Sequence, residues 1–303
     1  MRLLRAGVLH EDVLEKHQKG WAVMRRKVII AVAPVKHPGS EMPAGCRNPQ
    51  SADEVADEVV ACARAGASMV HLHVRDESGQ QTAAMDVFAR TLDLIRSESD
   101  IIIQGSTGGL STLSLEERCV SLNDPRVEVA SLNMGSSNFA DDVYINTLPD
   151  IRYWAGRMGE TETAPEMEVF DLSMIGTARR IADEGVVSRP IHFNVCLGFE
   201  SALEATPENL NAMRAAIPGG STWGITHDGM KDLQILAGAL GLGASAMRVG
   251  FEDSFYYAPG KTATTNVELV AKARDLVEAM GLEPMTPGEA RRALEIKSKS
   301  LDS

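Results

Sequence analysis

The fold follows from one stretch of sequence, Met69-Val70-His71-Leu72-His73-Val74-Arg75-Asp76. Its apolar residues are typical of a buried strand, and the small residues 65–67 before it are typical of the end of a helix. Successive side chains of a strand point to opposite faces, so His71 and His73 are expected on the same face. They either bind a metal ion with a third ligand from elsewhere, or they are held by hydrogen bonds in the core.

Apolar strands and helices alternate along the rest of the chain, which predicts parallel β-α units. Eight units in about 275 residues favour a closed (β/α)8 TIM barrel over an open doubly wound sheet. No glycine-rich nucleotide-binding motif is present. The predicted strands cover residues 27–33, 69–74, 101–106, 127–133, 166–170, 191–197, 221–226 and 246–250. The predicted helices cover residues 51–65, 85–97, 115–120, 148–158, 173–184, 207–216, 231–240 and 265–280.

The barrel is predicted to begin at residue 27 and to form one catalytic domain over residues 27–303, a size that such barrels reach. Residues 1–26 are expected to be a short N-terminal extension with some helix. Residues 134–144 are expected to be a long loop.

The 303-residue chain carries a formal net charge of -12, and its largest basic cluster is Arg25-Arg26-Lys27. This charge argues against nucleic acids and anionic membranes as partners. No apolar run approaches the roughly 20 residues that span a bilayer, and residues 1–26 lack the apolar core of a secretory signal. Four cysteines, all far apart in the sequence, are typical of reduced thiols. We therefore expect a cytoplasmic protein.

Polar residues end or follow most of the predicted strands, where barrels of this type have their active sites. The last strand contributes Arg248, Glu252 and Asp253. Together with His71 and His73, Glu252 would complete a set of the kind that binds catalytic zinc. An exposed ion-pair cluster would give the same pattern for the three charged residues. The other polar residues at strand ends are Ser106, Thr107, Ser131, Asn133, Glu168, Asn194, Thr226 and His227.

Three further motifs have both a functional and a structural interpretation. The turn 106–109 offers hydroxyls and backbone N–H groups that could bind a carboxylate or phosphate, or it is simply a flexible turn. Glu166 and Glu168 share one face of their strand, and they belong either to the site or to salt bridges in the barrel. His192 lies among apolar neighbours and is expected to be packed in the core.

Several longer stretches together resemble the β-keto acid cleavage enzymes. They occur in the family's order from about residue 27 to residue 295, and HLHVRD, QGSTGG and RVGFED are specific in combination. The stretches are AGASMVHLHVRDESG (65–79), IIIQGSTGG (101–109), VASLNMGSSNFADDVYIN (129–146), PEMEVFD (165–171), RVGFEDSFYYAPG (248–260) and MTPGEARRAL (285–294).

The resemblance implies a barrel that binds one divalent metal, usually Zn2+, through His71, His73 and Glu252. It also implies a reaction between a β-keto acid and acetyl-CoA as co-substrate, giving acetoacetate and a new acyl-CoA, in a homotetramer. By motif position Asp253 matches the general base, and Arg248 matches its supporting arginine. The implied substrate-binding residues are Ser106, which matches the serine that binds the keto acid's carboxylate, with Thr107, Gly108, Ser131, Asn133 and Glu168.

The residues agree with this chemistry. Removal of a proton α to a ketone needs a base and a group that stabilises the enolate, and a metal ion at the keto oxygen does the latter. Arg248 is expected to favour the ionised form of Asp253, which a base requires. Two other interpretations stay open: a metal-dependent aldolase or hydrolase that acts on a keto acid without CoA, and a non-catalytic barrel that binds a partner.

The first β-α loop departs from the family pattern. Members that act on an amino-bearing substrate have a glutamate shortly after the first strand. Here residues 33–41 read Ala-Pro-Val-Lys-His-Pro-Gly-Ser-Glu, so His37 or Pro38 occupies that place and Glu41 reaches it only by a further shift. The candidates for contacting the far end of the substrate are therefore Lys36, His37 and Glu41. We expect Lys36 or His37 to favour a second carboxylate on the substrate, as in a β-keto diacid.

Overall fold

A computed structural model describes residues 25–109 and 112–296. Eight parallel strands pair in sequence order, and the last pairs with the first, so the sheet closes into a barrel. The predicted (β/α)8 TIM barrel is confirmed. Its strands are β1 Lys27–Val32, β2 Met69–Leu72, β3 Ile102–Gly105, β4 Val127–Asn133, β5 Ala164–Val169, β6 His192–Leu197, β7 Thr222–His227 and β8 Ala246–Val249.

Helices surround the barrel and connect its strands, and polar caps fix where several of them begin. Ser51 accepts a hydrogen bond from the backbone of Glu54, while the Glu54 side chain accepts from the Ser51 backbone, a reciprocal capping box. The helices are α1 Ala52–Ala65, α2 Asp86–Glu98, α3 Leu148–Glu160, α4 Leu172–Asp183, α5 Pro207–Ala216, α6 Gln234–Gly241, α7 Asn266–Ala279 and α8 Pro287–Ala293, and a 3-10 helix, Glu117–Asn123, follows β3.

Alternation along each strand divides the molecule into two apolar regions. In β1, Val28, Ile30 and Val32 belong to the large cluster that packs against the surrounding helices. Ile29 and Ala31 belong to a smaller cluster inside the barrel. This inner cluster also contains Met69, Ile102, Val129, Ala290 and Leu294. Residues two positions further along the same strands keep the inward direction, so polar side chains lie directly above an apolar floor.

Several regions differ from the sequence-based expectation, which also lacked the helix α8 and a hairpin, Tyr256–Ala258 with Lys261–Thr262. The expected loop 134–144 contains an antiparallel hairpin, Ser137–Phe139 with Asp142–Tyr144. Phe139 packs against Phe170 and Phe199 at ring-centroid distances of 5.5 and 5.2 Å, which holds the hairpin against the ends of β5 and β6. The expectation also missed a short strand, Glu283–Pro284, which pairs with the start of β1.

The N-terminal extension predicted over residues 1–26 lies almost entirely outside the described residues, and the division of the chain at residue 27 stays a prediction. Within the parts that are described, no helix is both long enough and apolar enough to cross a bilayer.

Candidate active site

The barrel rim brings two histidines and a carboxylate together from strands on either side of β1. His71 is in β2, His73 directly follows it, and Glu252 lies in the turn after β8. Nε2 of His71 and Nε2 of His73 lie 3.7 and 3.6 Å from the same oxygen, Oε1 of Glu252. Two ligands of a tetrahedral ion at about 2.1 Å from it would be about 3.4 Å apart. Both imidazole nitrogens therefore lie from the Glu252 oxygen at nearly the spacing that a small metal ion needs, and all three ligand atoms lie within 4.8 Å of one another.

The turn after β8 is what carries the carboxylates to this point. Gly250 has φ 141°, and a Cβ there would lie 2.1 Å from the carbonyl oxygen of Ala33. That carbonyl accepts a hydrogen bond of 3.1 Å from the backbone N–H of Glu252. The close approach of the turn to the end of β1 thus requires glycine at position 250, and it fixes the backbone positions of Glu252 and Asp253.

His71 is fixed by a chain of buried side chains. Its Nδ1 lies 2.8 Å from Oε1 of Gln104, its neighbour in the β2–β3 register. The Gln104 amide in turn donates to Oε1 of Glu166 at 2.9 Å. Because the amide hydrogens point to Glu166, the Gln104 oxygen is left to accept from Nδ1–H of His71. This assigns the free electron pair of His71 to Nε2, which faces Glu252.

Arg248 connects the carboxylates on the other side of the site. Its Nε donates to Oδ2 of Asp253 at 2.9 Å, and its Nη2 also donates to Oδ1 of Asp253. The guanidinium lies 3.4 Å from Oε1 of Glu252 and 3.6 Å from Oε1 of Glu168. Arg248 and Asp253 are only 7% and 3% exposed, which excludes the alternative of an exposed ion-pair cluster.

Burial sets the protonation of the two imidazoles. It lowers the pKa of His71 to about 3, although Glu252 opposes this, and it also lowers the pKa of His73. Both rings are therefore neutral near pH 7, the form in which histidine binds metals. Burial raises the pKa of Glu252, but His71, His73 and Arg248 more than reverse this and leave it well below its usual range.

The two remaining carboxyls are shifted in the opposite direction. Burial raises the pKa of Glu168 to about 7, against the attraction of Arg248. Burial also raises the pKa of Asp253, and Arg248 lowers it by less. Arg248 acts in the expected direction, but the desolvation of a fully enclosed carboxyl is the larger effect.

The turn after β3 lies next to His73. The backbone N–H of Gly108 donates to Oγ of Ser106 at 3.1 Å, and the N–H of Gly109 donates to the Tyr144 hydroxyl at 3.1 Å. The hydroxyl of Thr107 donates to the carbonyl of Ser131 at 2.6 Å, so Thr107 joins the turn to β4.

Asn133 and Ser131 are both almost fully buried in β4. Oδ1 of Asn133 accepts from the backbone N–H of Gly135 at 3.2 Å. Nδ2 of Asn133 has no hydrogen-bond partner among the described residues, so the amide is still able to donate to a ligand.

Of the three candidates in the first loop, the structure brings one to the site. Nζ of Lys36 donates to the backbone carbonyl of Glu252 at 2.8 Å, and the backbone of Lys36 is held by two 2.8 Å hydrogen bonds with the Asn48 amide. His37 and Glu41 are exposed. Lys36 also borders a cavity of about 520 Å³ that is shared with Asp228 and Asp253.

Other predicted rim residues take structural positions. Asn194 and Thr226 bond to each other inside the barrel, at 3.0 and 3.2 Å. His192 lies toward the opposite end of the barrel, where it contacts the hydroxyl of Thr222 and the carbonyl of Leu294. As expected, it is a packed core histidine.

The sequence reasoning missed three groups that contact the site. Gln104 was detectable in principle, because it is the one polar residue in the apolar run 101–105. Gln81 and Tyr144 follow turns whose geometry no local pattern specifies. Nε2 of Gln81 lies 2.6 Å from Nδ1 of His73, and the Tyr144 hydroxyl accepts from the backbone N–H of Gly109.

Comparison with known proteins agrees with the sequence resemblance. The chain is 37% identical over 251 residues to the 3-keto-5-aminohexanoate cleavage enzyme of Fusobacterium nucleatum, covering 82% of this chain and 91% of that protein. It is 33% identical over 260 residues to a 3-oxoadipate:acetyl-CoA acetyltransferase of Cupriavidus necator, covering 84% and 90% of the two chains.

A solved structure shares the fold. A ternary complex of ObcA with a C4-CoA adduct and oxalate superimposes with a TM-score of 0.72 at 20% identity, covering 82% of this chain and 67% of that chain. The model of the beta-keto acid cleavage enzyme family matches residues 27–296, which include every site residue described above. The chain therefore belongs to the beta-keto acid cleavage enzyme family.

Proposed function

We propose that the protein transfers acyl groups between a β-keto acid and acetyl-CoA, giving acetoacetate and a new acyl-CoA. The observation that carries the proposal is the placement of the Asp253–Arg248 pair directly beside the His71, His73 and Glu252 set. The name of the Cupriavidus necator relative, an acetyl-CoA acetyltransferase, supports acetyl-CoA as the co-substrate.

His71, His73 and Glu252 would hold a divalent metal ion, which we propose to be Zn2+. Two neutral imidazoles and one carboxylate are a common ligand set of catalytic zinc, and their ligand atoms lie within 4.8 Å of one another. When bound, such an ion would polarise the keto oxygen and stabilise negative charge that develops there. Its identity is testable by metal analysis of protein purified without added metal.

Asp253 would act as the general base. It removes a proton from the carbon between the ketone and the carboxylate, and this carbon then attacks the acetyl carbonyl of acetyl-CoA as CoA thiolate leaves. The thiolate next attacks the original keto carbon, and the carbon–carbon bond breaks to release the acyl-CoA. The remaining carbanion recovers the proton from Asp253 and becomes acetoacetate. Arg248 holds the Asp253 carboxylate in place both when it takes the proton and when it returns it.

Backbone and hydroxyl groups of the turn after β3 would bind the substrate carboxylate, with Ser106, Thr107 and Gly108 contributing. Ser131, Asn133 and Glu168 would line the same pocket from β4 and β5. A free amide donor on Asn133 and a Glu168 carboxyl with a pKa of about 7 are both able to donate to substrate oxygens. This arrangement supports binding of a polar keto acid.

The substrate class is proposed to be a β-keto diacid. Lys36 is the first-loop side chain that reaches the site, and two of its three N–H groups remain beyond the bond to Glu252. A second carboxylate of the substrate would satisfy them. The Cupriavidus necator relative is named for 3-oxoadipate, which is a β-keto diacid.

Steady-state turnover of a β-keto acid panel, with and without acetyl-CoA, tests the reaction class. We expect acetoacetate only with acetyl-CoA, and faster turnover of diacids than of neutral or amino-bearing acids. Turnover without the thioester would instead support a metal-dependent aldolase or hydrolase. Lys36→Met should raise the KM of diacids about tenfold or more and leave that of neutral keto acids unchanged, with Lys272→Met, in the surrounding helix α7, as the control.

The homotetramer and the cytoplasmic location belong to the same proposal. Multi-angle light scattering of the full chain tests the first, and fractionation of the native host tests the second.

A further inference from the structure

A histidine that binds a metal through one ring nitrogen must have a partner for the proton on the other nitrogen. The two histidines of this site meet that requirement differently. Gln104 offers its amide oxygen to Nδ1 of His71 at 2.8 Å, and Glu166 fixes the direction of that amide. His71 is therefore already in the form that leaves Nε2 free.

His73 has a glutamine in the same position but in the opposite orientation. Nε2 of Gln81 lies 2.6 Å from Nδ1 of His73, so in this orientation the amide donates to the ring. The ring proton then belongs on Nε2, which faces Oε1 of Glu252 at 3.6 Å. A nitrogen that carries a proton cannot bind a metal ion.

The amide oxygen of Gln81 is not held in place by a hydrogen bond from the described part of the chain. It is buried and has no hydrogen-bond partner among the described residues. A 180° rotation of the amide would place this oxygen at Nδ1 of His73. There it would accept a hydrogen bond from Nδ1–H and leave Nε2 of His73 without a proton. The present direction of the Gln81 amide is favoured by a 3.4 Å hydrogen bond from Nε2 to the Gly108 carbonyl, which is longer than the 2.9 Å bond that Gln104 donates to the carboxyl of Glu166.

Gln81 also contacts the turn that is proposed to bind the substrate carboxylate. Its Nε2 lies 3.4 Å from the carbonyl oxygen of Gly108. A Cβ at Gly109 would lie 2.5 Å from the same nitrogen, so the side chain packs directly on the turn. The backbone of Gln81 is itself held by a bridge to Arg75. One side chain thus touches both a metal-ligand candidate and the anion-binding turn.

We propose that Gln81 is a positioning residue for His73. Its amide oxygen accepts a hydrogen bond from Nδ1–H of His73 whenever Nε2 of His73 faces a bound metal ion. The same 180° rotation would move Nε2 of Gln81 away from the Gly108 carbonyl, so the side chain would then contact the turn by packing against Gly109. The inference rests on the metal site of the proposed function.

Two substitutions separate this role from simple packing. Gln81→Met keeps the length of the side chain but cannot accept a strong hydrogen bond, so Zn2+ affinity should fall about 10- to 100-fold. Gln81→Glu can only accept, so it should keep Zn2+ affinity within about threefold of the unsubstituted protein. Its negative charge beside the turn should nevertheless raise the KM of the keto acid. The neighbouring exposed Gln80 provides the matched control, Gln80→Met.

The measurements are made on the full chain. Zn2+ affinity is obtained by competition with a chromophoric chelator, and the visible absorption of the Co2+-loaded protein reports the ligand geometry independently of activity. Circular dichroism checks that each variant is folded. Equal Zn2+ affinity of Gln81→Met and the unsubstituted protein would overturn the inference. Equal weakening by Gln81→Met and Gln81→Glu would also overturn it, because Gln81 would then act as a donor.

The experiment also separates this inference from the proposed reaction. The expected pattern of Zn2+ affinities in a protein that turns over no keto acid would support the positioning role and overturn the proposed reaction. Normal turnover with unchanged affinity in Gln81→Met would overturn the positioning role alone. Absence of Zn2+ and Co2+ binding by the unsubstituted protein would overturn the inference together with the proposed metal site.

Discussion

At the scale of single residues, the site depends on charges that are enclosed and paired. Arg248 contacts three carboxylates while it is only 7% exposed. An arginine in that setting stabilises the ionised partners, yet burial still raises the pKa of Glu168 and Asp253. The site therefore holds one carboxylate that stays ionised, Glu252, beside Glu168 with a pKa of about 7 and Asp253 with a pKa raised above its usual value.

Replacement of the proposed base gives the first prediction. Asp253→Asn keeps the size of the side chain but removes its ability to take a proton. We expect kcat to fall at least about 100-fold, with Zn2+ affinity changed by less than about threefold, because Asp253 is not one of the three ligand candidates. Steady-state kinetics and chelator competition measure the two quantities. Asp141→Asn, at an exposed position of the hairpin, is the control, and near-normal kcat in Asp253→Asn would refute the assignment.

The raised pKa of Glu168 gives a second prediction. This carboxyl has a pKa of about 7 in the folded protein and about 4.3 when unfolded. The folded state binds the proton more tightly, so this stabilising contribution is complete below about pH 4 and is lost as the pH rises through about 7. Between about pH 4 and pH 8, the free energy of unfolding of metal-free protein should fall up to about 3 kcal/mol more than that of Glu168→Gln.

Urea unfolding at several pH values measures this difference. The comparison isolates Glu168, because His71 and the other buried groups are the same in both proteins. A pH dependence that is identical in the two proteins would contradict the raised pKa.

At this scale, prediction from sequence depended on periodicity. His71 and His73 could be paired because strand residues two apart share a face. Glu252, Asp253 and Arg248 could be placed only by assuming that the strand ends meet at one rim. Gln81 could not be found, because its contact with His73 depends on the path of the turn 76–80.

At the scale of elements, the turns that follow the strands position more of the site's side chains than the strands themselves do. Predicted and observed strands agree closely, because buried parallel strands are continuous apolar runs. The hairpin 137–144 was expected to be a loop. Its strands are short and partly exposed, and they are held by Phe139 against Phe170 and Phe199, a tertiary contact that no local pattern encodes.

The turn after β8 gives a third prediction. Gly250→Ala would place a methyl group against the Ala33 carbonyl at a positive φ. We expect a loss of about 2–4 kcal/mol in the free energy of unfolding and weaker Zn2+ binding, because Glu252 moves with the turn. Urea denaturation and chelator competition are the measurements.

Gly156 provides the control for this substitution. It lies inside α3, and a Cβ there would meet nothing within 4 Å. Gly156→Ala should therefore stabilise the protein by about 0.5–1 kcal/mol. If the two alanine variants unfolded alike, the close approach at Gly250 would not be important for stability.

At the scale of the whole molecule, the proposed metal ligands lie on both sides of the seam where the barrel closes. His71 and His73 belong to the β2 side and Glu252 to the end of β8, with β1 between them. An ion bound by all three would link the first-made and last-made parts of the barrel. The closure itself was predictable from eight β-α units, whereas the short strand 283–284 beneath it was not, because two residues carry no periodic signal.

This position gives a fourth prediction. Binding to the folded state alone stabilises a protein by about 2.7 kcal/mol at a free metal concentration 100 times Kd. For a domain of this size we expect Tm to rise by roughly 4–5 °C on adding Zn2+ to metal-free protein. Calorimetry of the unsubstituted protein and of His71→Ala makes the comparison, and an equal rise in both would place the ion elsewhere.

The pairing of β1 with β8 also has a consequence for synthesis of the protein. β1 leaves the ribosome roughly 200 residues before β8, a delay of about 10–40 s at ordinary translation rates. During that interval one edge of β1 has no partner strand, and apolar residues such as Ile30 and Val32 lack their final packing. Such an edge can pair with other chains. We therefore expect the yield of folded protein to depend on chaperones and on expression temperature, even though each of the eight barrel strands has a partner on both sides in the finished barrel.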